Sequence, residues 1–504
     1  MQQRRVRRDA ESTPTVRRPA PVDHAVPVSS VPAVGLDAKI AGEPALADGW
    51  VAAKGILWPP PGPGSGRYRR LYIRGRTRAT IAVISAVLWS LISLYLARFW
   101  IADLGRQITL PLAIIVIGGI AMIPGYLNMQ LLMSLLLDRP PRLREPENLV
   151  FPPVSVLVAA YNEEETLIGT LRSLAAQTYP SEIRVIVIDD GSSDRTRSVV
   201  HGYRERNPNE HVTIMTVPHH GKADALNAGL ATLNTPLAAT LDADTVLLAD
   251  SMRRAVTRML MTGPQTSAVA GSVLVKNWRQ NILTRMQRWE YALGIASVKR
   301  VQALYQGTLV AQGAFSVYTT EDLRKIAGWP NLIGEDIVMT WALLAKGDIV
   351  VYEPTAVALT CVPEHLRSFA RQRRRWARGM VEGLQAWGGL VMRQHRPARH
   401  GVFVDYMLPF VDLMYTFAFI PGVVLALTGN FMIAGPMTLA VLPLGMLMIA
   451  VMAMRQRGEL AQIQFRRKID GVGLLFYFLI YQAMLSPISL AGYFQEFFGR
   501  DRNW

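Results

Sequence analysis

Residues 154–192 read VSVLVAAYNEEETLIGTLRSLAAQTYPSEIRVIVIDDGS. The run 154–159 is Val-rich, as a strand covered on both faces requires. A loop follows at 160–163, and residues 164–177 place Leu167, Leu171 and Leu174 on one face of a helix. Residues 185–188 form a second apolar strand that ends in Asp189-Asp190-Gly191-Ser192. Strand, helix, strand in this order predicts a doubly wound α/β sheet. Further along, 212–217 reads as a third strand and 237–241 as a fourth, which ends in Asp242-Ala243-Asp244. Such sheets bind ligands beyond the C-terminal ends of their strands, where both acidic clusters fall.

The residue types there point to anionic-substrate chemistry. Two carboxylates flanking one small residue, Asp242 and Asp244, can hold Mg2+ or Mn2+ against a diphosphate, because these cations favour hard oxygen ligands. The cation would neutralise a departing nucleotide diphosphate; the alternative is a solvated turn. Asp189 and Asp190 can accept a hydrogen bond from a nucleobase imide, or serve as a turn or helix cap. Lys222, in His219-His220-Gly221-Lys222, can meet phosphate as a point charge, or be a surface lysine. In Gly334-Glu335-Asp336, Asp336 is a candidate general base for an acceptor hydroxyl, whereas Asp322, Asp348 and Glu353 read as surface charges. Gln372-Arg373-Arg374-Arg375-Trp376 offers arginines for a diphosphate and an indole face for a sugar ring. It also reads as a basic amphipathic helix on a membrane, with Arg371, Arg374 and Arg378 towards headgroups and Gln372, Arg375 and Trp376 towards the site.

Half of the chain is hydrophobic and only 18% is charged, for which a membrane-embedded portion is the simplest explanation. Apolar stretches at 79–97, 108–137, 402–428, 431–454 and 472–497 are long enough to span, with Gly429 and Asn430 as a tight turn. Arg67, Arg69, Arg70, Arg74, Arg76 and Arg78 precede the first span. Arg139, Arg142 and Arg144 follow the second. Arg455, Arg457, Arg466, Arg467 and Lys468 separate the last two. Positive residues stay inside, so the central region is expected in the cytoplasm and the C-terminus outside. The net charge of +16 is thus concentrated beside spans, which argues against a nucleic-acid binder. Residues 1–78, rich in Arg and Pro, read as a disordered basic tail. Cys361 is the single cysteine, which excludes an intrachain disulfide framework and a multi-Cys zinc site.

Taken together, the stretch 158–164 (Val-Ala-Ala-Tyr-Asn-Glu-Glu) with 189–192, Asp242-Ala243-Asp244, Glu335-Asp336 and the Q-x-x-R-W signature at Gln372, Arg375 and Trp376 resemble the processive family 2 glycosyltransferases. These include cellulose, chitin, hyaluronan and poly-β-1,6-N-acetylglucosamine synthases. Gly221-Lys222-Ala223-Asp224-Ala225-Leu226-Asn227, Tyr352-Glu353-Pro354 and Pro363-Glu364-His365-Leu366 resemble the poly-N-acetylglucosamine synthases most; Gly334 departs, standing where members often carry Thr.

The resemblance implies a GT-A, Rossmann-like cytoplasmic domain (138–363) inserted between transmembrane helices in a multi-pass protein. Two spans lie before it (79–137), and interfacial helices (364–400) and three spans (401–498) follow. It implies a bacterial inner-membrane enzyme. A UDP-sugar, first UDP-N-acetylglucosamine, would be polymerised by inverting β-transfer into an exported polysaccharide such as a biofilm exopolysaccharide. Asp189 and Asp190 would contact the nucleoside, Asp242 and Asp244 the diphosphate and metal, and Lys222 the phosphates. Asp336 would be the base, and Gln372, Arg375 and Trp376 would bind the diphosphate and the acceptor-end sugar. Membrane lipids, the growing chain and a small accessory membrane subunit are the partners it leaves room for. A cellulose-, chitin- or hyaluronan-like product, or single transfer to a lipid acceptor, stays open.

Overall fold

The computed structural model describes residues 50–60, 75–138, 143, 145–304, 307–393, 398–434, 437–464 and 470–499. Most of the basic tail, Arg139, Arg142, Arg144, Arg466, Arg467 and Lys468 lie outside the described residues.

The expected tail contains ordered structure. β1 (Val51–Ala53) and β2 (Ile56–Trp58) pair antiparallel. Trp58 is fully buried, its Nε1 donates to the Ala53 carbonyl at 2.9 Å, and Ile56 joins the same core. Lys54, at the turn, pairs with Asp322. Residues 50–60 thus correct the reading of 1–78 as disordered throughout: two apolar side chains anchor a segment that Pro and Arg otherwise dominate.

The catalytic-scale domain is built on eight strands: β3 (Val154–Ala160), β4 (Ile183–Asp189), β5 (Val212–Thr216), β6 (Leu237–Leu241), β7 (Val246–Leu247), β8 (Thr266–Val275), β9 (Phe315–Thr319) and β10 (Ile349–Thr360). Their order is β5-β4-β3-β6-β9-β8-β10-β7. β3 to β6 pair parallel, as the strand–helix–strand reading requires. β9 runs antiparallel to β6 and β8, so the second half of the sheet is mixed. Both faces are covered. Val154, Val156 and Val158 enter one apolar core, while Leu157 and Ile188 enter the other. That double burial explains why these strands carry apolar residues at successive positions.

Among the described residues, four helical segments are long and apolar enough to cross a membrane: Thr77–Gln107, Leu110–Leu137, Arg399–Leu427 and Gly471–Phe497. They match four of the expected spans. The fifth, 431–454, falls largely on a helix at Met437–Ala461; residues 435 and 436 lie outside the described residues. Prolines do not break the second span. Pro111 opens its first helix, where no amide donor is needed, and Pro124 opens the helix that follows a π-turn at Gly118–Met122. Leu88, Leu91, Leu96 and Phe99 stand exposed along the first span, as lipid-facing side chains must. Inside the spans, Ser486 and Tyr493 donate to the buried Asp412 at 2.7 and 2.9 Å, tying the third span to the last.

Candidate active site

The parallel half of the sheet delivers its acidic residues to one edge. β3 runs into Tyr161 and Asn162, and β4 into Asp189 and Asp190. Asp189 is fully buried; it accepts from the Ser192 amide at 3.1 Å and pairs with Arg197 at 2.7 Å. Asp190 accepts from the amides of His220 and Gly221, both at 3.1 Å, and meets Nδ1 of His219 at 2.9 Å. The expected nucleoside carboxylates are therefore already engaged within the protein. Asp190 pins the loop that starts the Lys222–Thr232 helix, and Gly221 makes the turn at φ +100°, a conformation that favours glycine. His219 stacks on the exposed Tyr161 at 4.2 Å, a flat aromatic surface that residue-type reasoning missed.

β6 carries Asp242 and Asp244 past its end, with the small Ala243 buried between them. Lys222 pairs with Asp242 and lies 3.9 Å from Glu335, so one ammonium joins the D-x-D to the third acidic cluster. Burial works against its charge, but the Asp242 and Glu335 carboxylates outweigh it and hold the lysine protonated. Asp244 accepts from Thr245 and Thr360 at 3.1 and 3.2 Å. Burial, then the Asp242 carboxylate, pushes its carboxyl above the ordinary range. Glu163 is raised too, by burial first and, against a Thr166 hydrogen bond, by Asp244 and Asp242.

This negative charge suits a divalent cation. Among the described residues no three His, Cys, Asp or Glu side chains form a metal cage. Two carboxylates that leave the remaining positions to water and a diphosphate are how Mg2+ is commonly held, so the donor set fits.

Asp336 sits in the first turn of the Glu335–Ala345 helix, where the macrodipole favours an anion. Its carboxylate accepts from the Gly313 amide at 3.3 Å and the Ile337 amide at 2.8 Å. Glu335 is pushed up to about 7, by burial first and then by the Asp336 carboxylate, against Lys222 and Arg375. The helix N-terminus touches the Leu366–Gly383 helix, backbone to backbone. A Cβ on Gly334 would lie 2.4 Å from the Gly379 Cα, and the Gly334 amide donates to Glu382 at 2.9 Å. This approach brings the acidic pair beside the Q-x-x-R-W stretch. Arg375 is exposed and lies within electrostatic reach of Glu335, while Gln372 and Trp376 are half-buried.

The reading of some charges needs correction. Asp322 is 2% exposed and binds Lys54, Ser267 and Thr319, and Glu353 is 1% exposed and pairs with Arg258 at 2.6 Å. Neither is a surface charge; both close the domain's own packing. Arg378 is buried against Glu496 at 2.9 Å, so it does not face headgroups. Lys299 went unremarked in the sequence: it is buried, burial pushes it down to about 7, and Asp336 opposes that fall. A lone lysine in a helix carries no motif, so its position beside the acidic pair was not legible.

Residues 152–379 match the family described as Glycosyltransferase like family 2. Among the curated relatives are the poly-beta-1,6-N-acetyl-D-glucosamine synthases of Staphylococcus epidermidis and of Staphylococcus aureus strain COL, 34% and 33% identical over 232 residues. Those matches cover 46% of this chain and 55% of each relative, so the chain spans about half the length of the curated relatives it matches. A solved mannosyltransferase from Pyrobaculum calidifontis, in complex with GDP-Man and Mn2+, superposes with a TM-score of 0.50 at 17% identity. It covers 85% of this chain and 100% of its own, which establishes the shared GT-A architecture.

Proposed function

We propose that the chain is a membrane-bound, inverting β-glycosyltransferase that polymerises a nucleotide sugar, UDP-N-acetylglucosamine first, into an exported polysaccharide. The observation that carries this is the convergence of Asp242, Asp244, Lys222, Glu335, Asp336 and Arg375 on one sheet edge, between apolar helices on either side in sequence. The names of the staphylococcal relatives support the sugar.

In this reading 138–363 is the cytoplasmic transferase domain, 364–400 is interfacial, and the arginines beside the spans keep the domain on the cytoplasmic side of the inner membrane. Asp242 and Asp244 would hold Mg2+ or Mn2+, which supplies charge neutralisation at the diphosphate. Asp189 and Asp190 shape the nucleoside pocket, Asp190 through the loop it pins. Lys222 shifts from Asp242 towards the diphosphate when the donor binds. Asp336 takes the proton of an acceptor hydroxyl as that oxygen bonds to the anomeric carbon and the bond to the diphosphate breaks. Attack opposite the leaving group inverts the centre. Arg375 binds the diphosphate, and Gln372 and Trp376 hold the acceptor-end sugar.

The test is product formation by membrane vesicles given radiolabelled UDP-N-acetylglucosamine or UDP-glucose, with and without Mg2+. A long polymer from UDP-N-acetylglucosamine that disappears without the cation is expected. A single-sugar product would end processivity; a polymer from UDP-glucose alone would replace the sugar.

A further inference from the structure

Arg373 lies inside the Q-x-x-R-W stretch but is not one of its signature positions, and it is 2% exposed. One guanidinium nitrogen donates to Oε1 of Gln372 at 3.0 Å. Its Cζ lies over the ring of Trp376, 3.9 Å from the centroid. On its far side it pairs with Glu290, itself 8% exposed, and reaches the hydroxyl of Tyr481 on the last span at 3.4 Å. One side chain therefore holds two of the three signature residues, and Glu290 holds that side chain.

A buried ion pair is a poor device for stability, because the desolvation of both charges offsets most of their attraction. Here the pair has a geometric consequence instead. With Arg373 over the indole and Tyr291 tilted against it at 6.2 Å between ring centroids, the ring is held in one orientation. The planar fork fixes ring and amide together, which a point-charge lysine would not.

We propose that Glu290 and Arg373 are positioning residues for the acceptor sugar: Glu290 orients Arg373, and Arg373 sets the indole plane of Trp376 and the amide of Gln372. This rests on the assignment of Trp376 to the acceptor made above. Glu290 stands in a different sequence region from the signature, in a π-turn at Glu290–Ile295, so nothing in the motif announces it.

The full chain, in detergent, is assayed with UDP-N-acetylglucosamine as donor and a β-1,6-linked N-acetylglucosamine oligosaccharide as acceptor (UDP-glucose and a glucan oligosaccharide if wild type uses those). UDP binding reports folding. The double variant Glu290→Leu with Arg373→Met exchanges the pair for apolar side chains of similar size and is expected to fold. Arg373→Lys keeps the ion pair but loses the stacked fork. Both are expected to raise the acceptor KM roughly 10- to 100-fold, the order that small misplacements cost, with donor KM unchanged. A wild-type acceptor KM in either variant overturns the inference, as does a parallel rise in donor KM. Loss of UDP binding in both variants would make the pair structural and overturn it equally. Absence of transfer by wild type from either donor would end the transferase reading, and this inference with it.

Discussion

At the scale of single residues, the two carboxylates that open the Glu335–Ala345 helix have separable roles. Asp336 is held by two backbone amides and lies within electrostatic reach of Lys222, so exchanging it for Asn should remove a base without disturbing the fold. Asp336→Asn is expected to cut transfer by about 100-fold or more while UDP binding survives, measured by transfer rate and by nucleotide retention on the same preparation. Near-wild-type polymerisation would remove Asp336 from that role. Glu335 makes a different prediction. The unfolded chain gives up this proton near 4.5, whereas the folded protein keeps it to about 7. Across that window the folded state binds more protons, so Glu335 makes stability fall as pH rises, and the loss is complete above about 7. Glu335→Gln lacks this slope. Its thermal midpoint should match wild type at low pH and exceed it increasingly up to neutrality; a constant difference across pH would show that Glu335 titrates normally.

At the scale of elements, the glycine pair Gly334 and Gly379 decides how closely the acidic helix meets the signature helix. The resemblance marks Gly334 as a departure, and the structure gives its reason: a side chain there would strike the Gly379 backbone. Gly334→Thr should therefore push the two helices apart. The expected cost is about 1–3 kcal/mol in stability, from overpacking, with a larger loss in activity because Asp336 and Trp376 sit on opposite sides of the contact. Thermal denaturation and transfer rate check the two halves, and unchanged activity would mean that the approach is softer than it looks. Elements of this kind differ in how legible they are. β3, β4 and β6 were readable because both-face burial forces continuous apolar runs, and Leu237–Leu241 is placed to the residue. β9 could not be read as antiparallel, since Phe315–Thr319 is equally apolar in either direction and its pairing is decided by distant strands. The β1–β2 hairpin escaped because three-residue strands carry almost no periodic signal and Trp58 was lost among prolines. In the candidate site, the D-x-D was visible from its place past a strand end, and Asp336 only as part of a later acidic pair. Arg373 and Glu290 were not, because an interior pair is recognisable only once both partners are located.

At the scale of the whole molecule, the positive residues beside the spans favour one orientation, and the single cysteine offers a direct way to read it. Cys361 follows β10 and is exposed, on the same domain as the acidic site, with Asp244 within electrostatic reach. It needs no engineered background, because no other thiol competes for the reagent. In the proposed reading the charge asymmetry puts this domain on the cytoplasmic side, where its donor would be found. A membrane-impermeant maleimide should then leave Cys361 unmodified in intact spheroplasts and label it in inverted vesicles. Gly429, exposed in the turn after the third span with open space where a side chain would project, provides the opposite marker. In a Cys361→Ser background, Gly429→Cys should label from outside intact spheroplasts and be protected in inverted vesicles. Because Arg399–Leu427 joins the two positions' sides by one crossing, the two patterns must be reciprocal if that helix spans the bilayer. Labelling of both from one side would make it a buried or interfacial helix instead, and with it the proposed path for a polymer out of the cell would be lost.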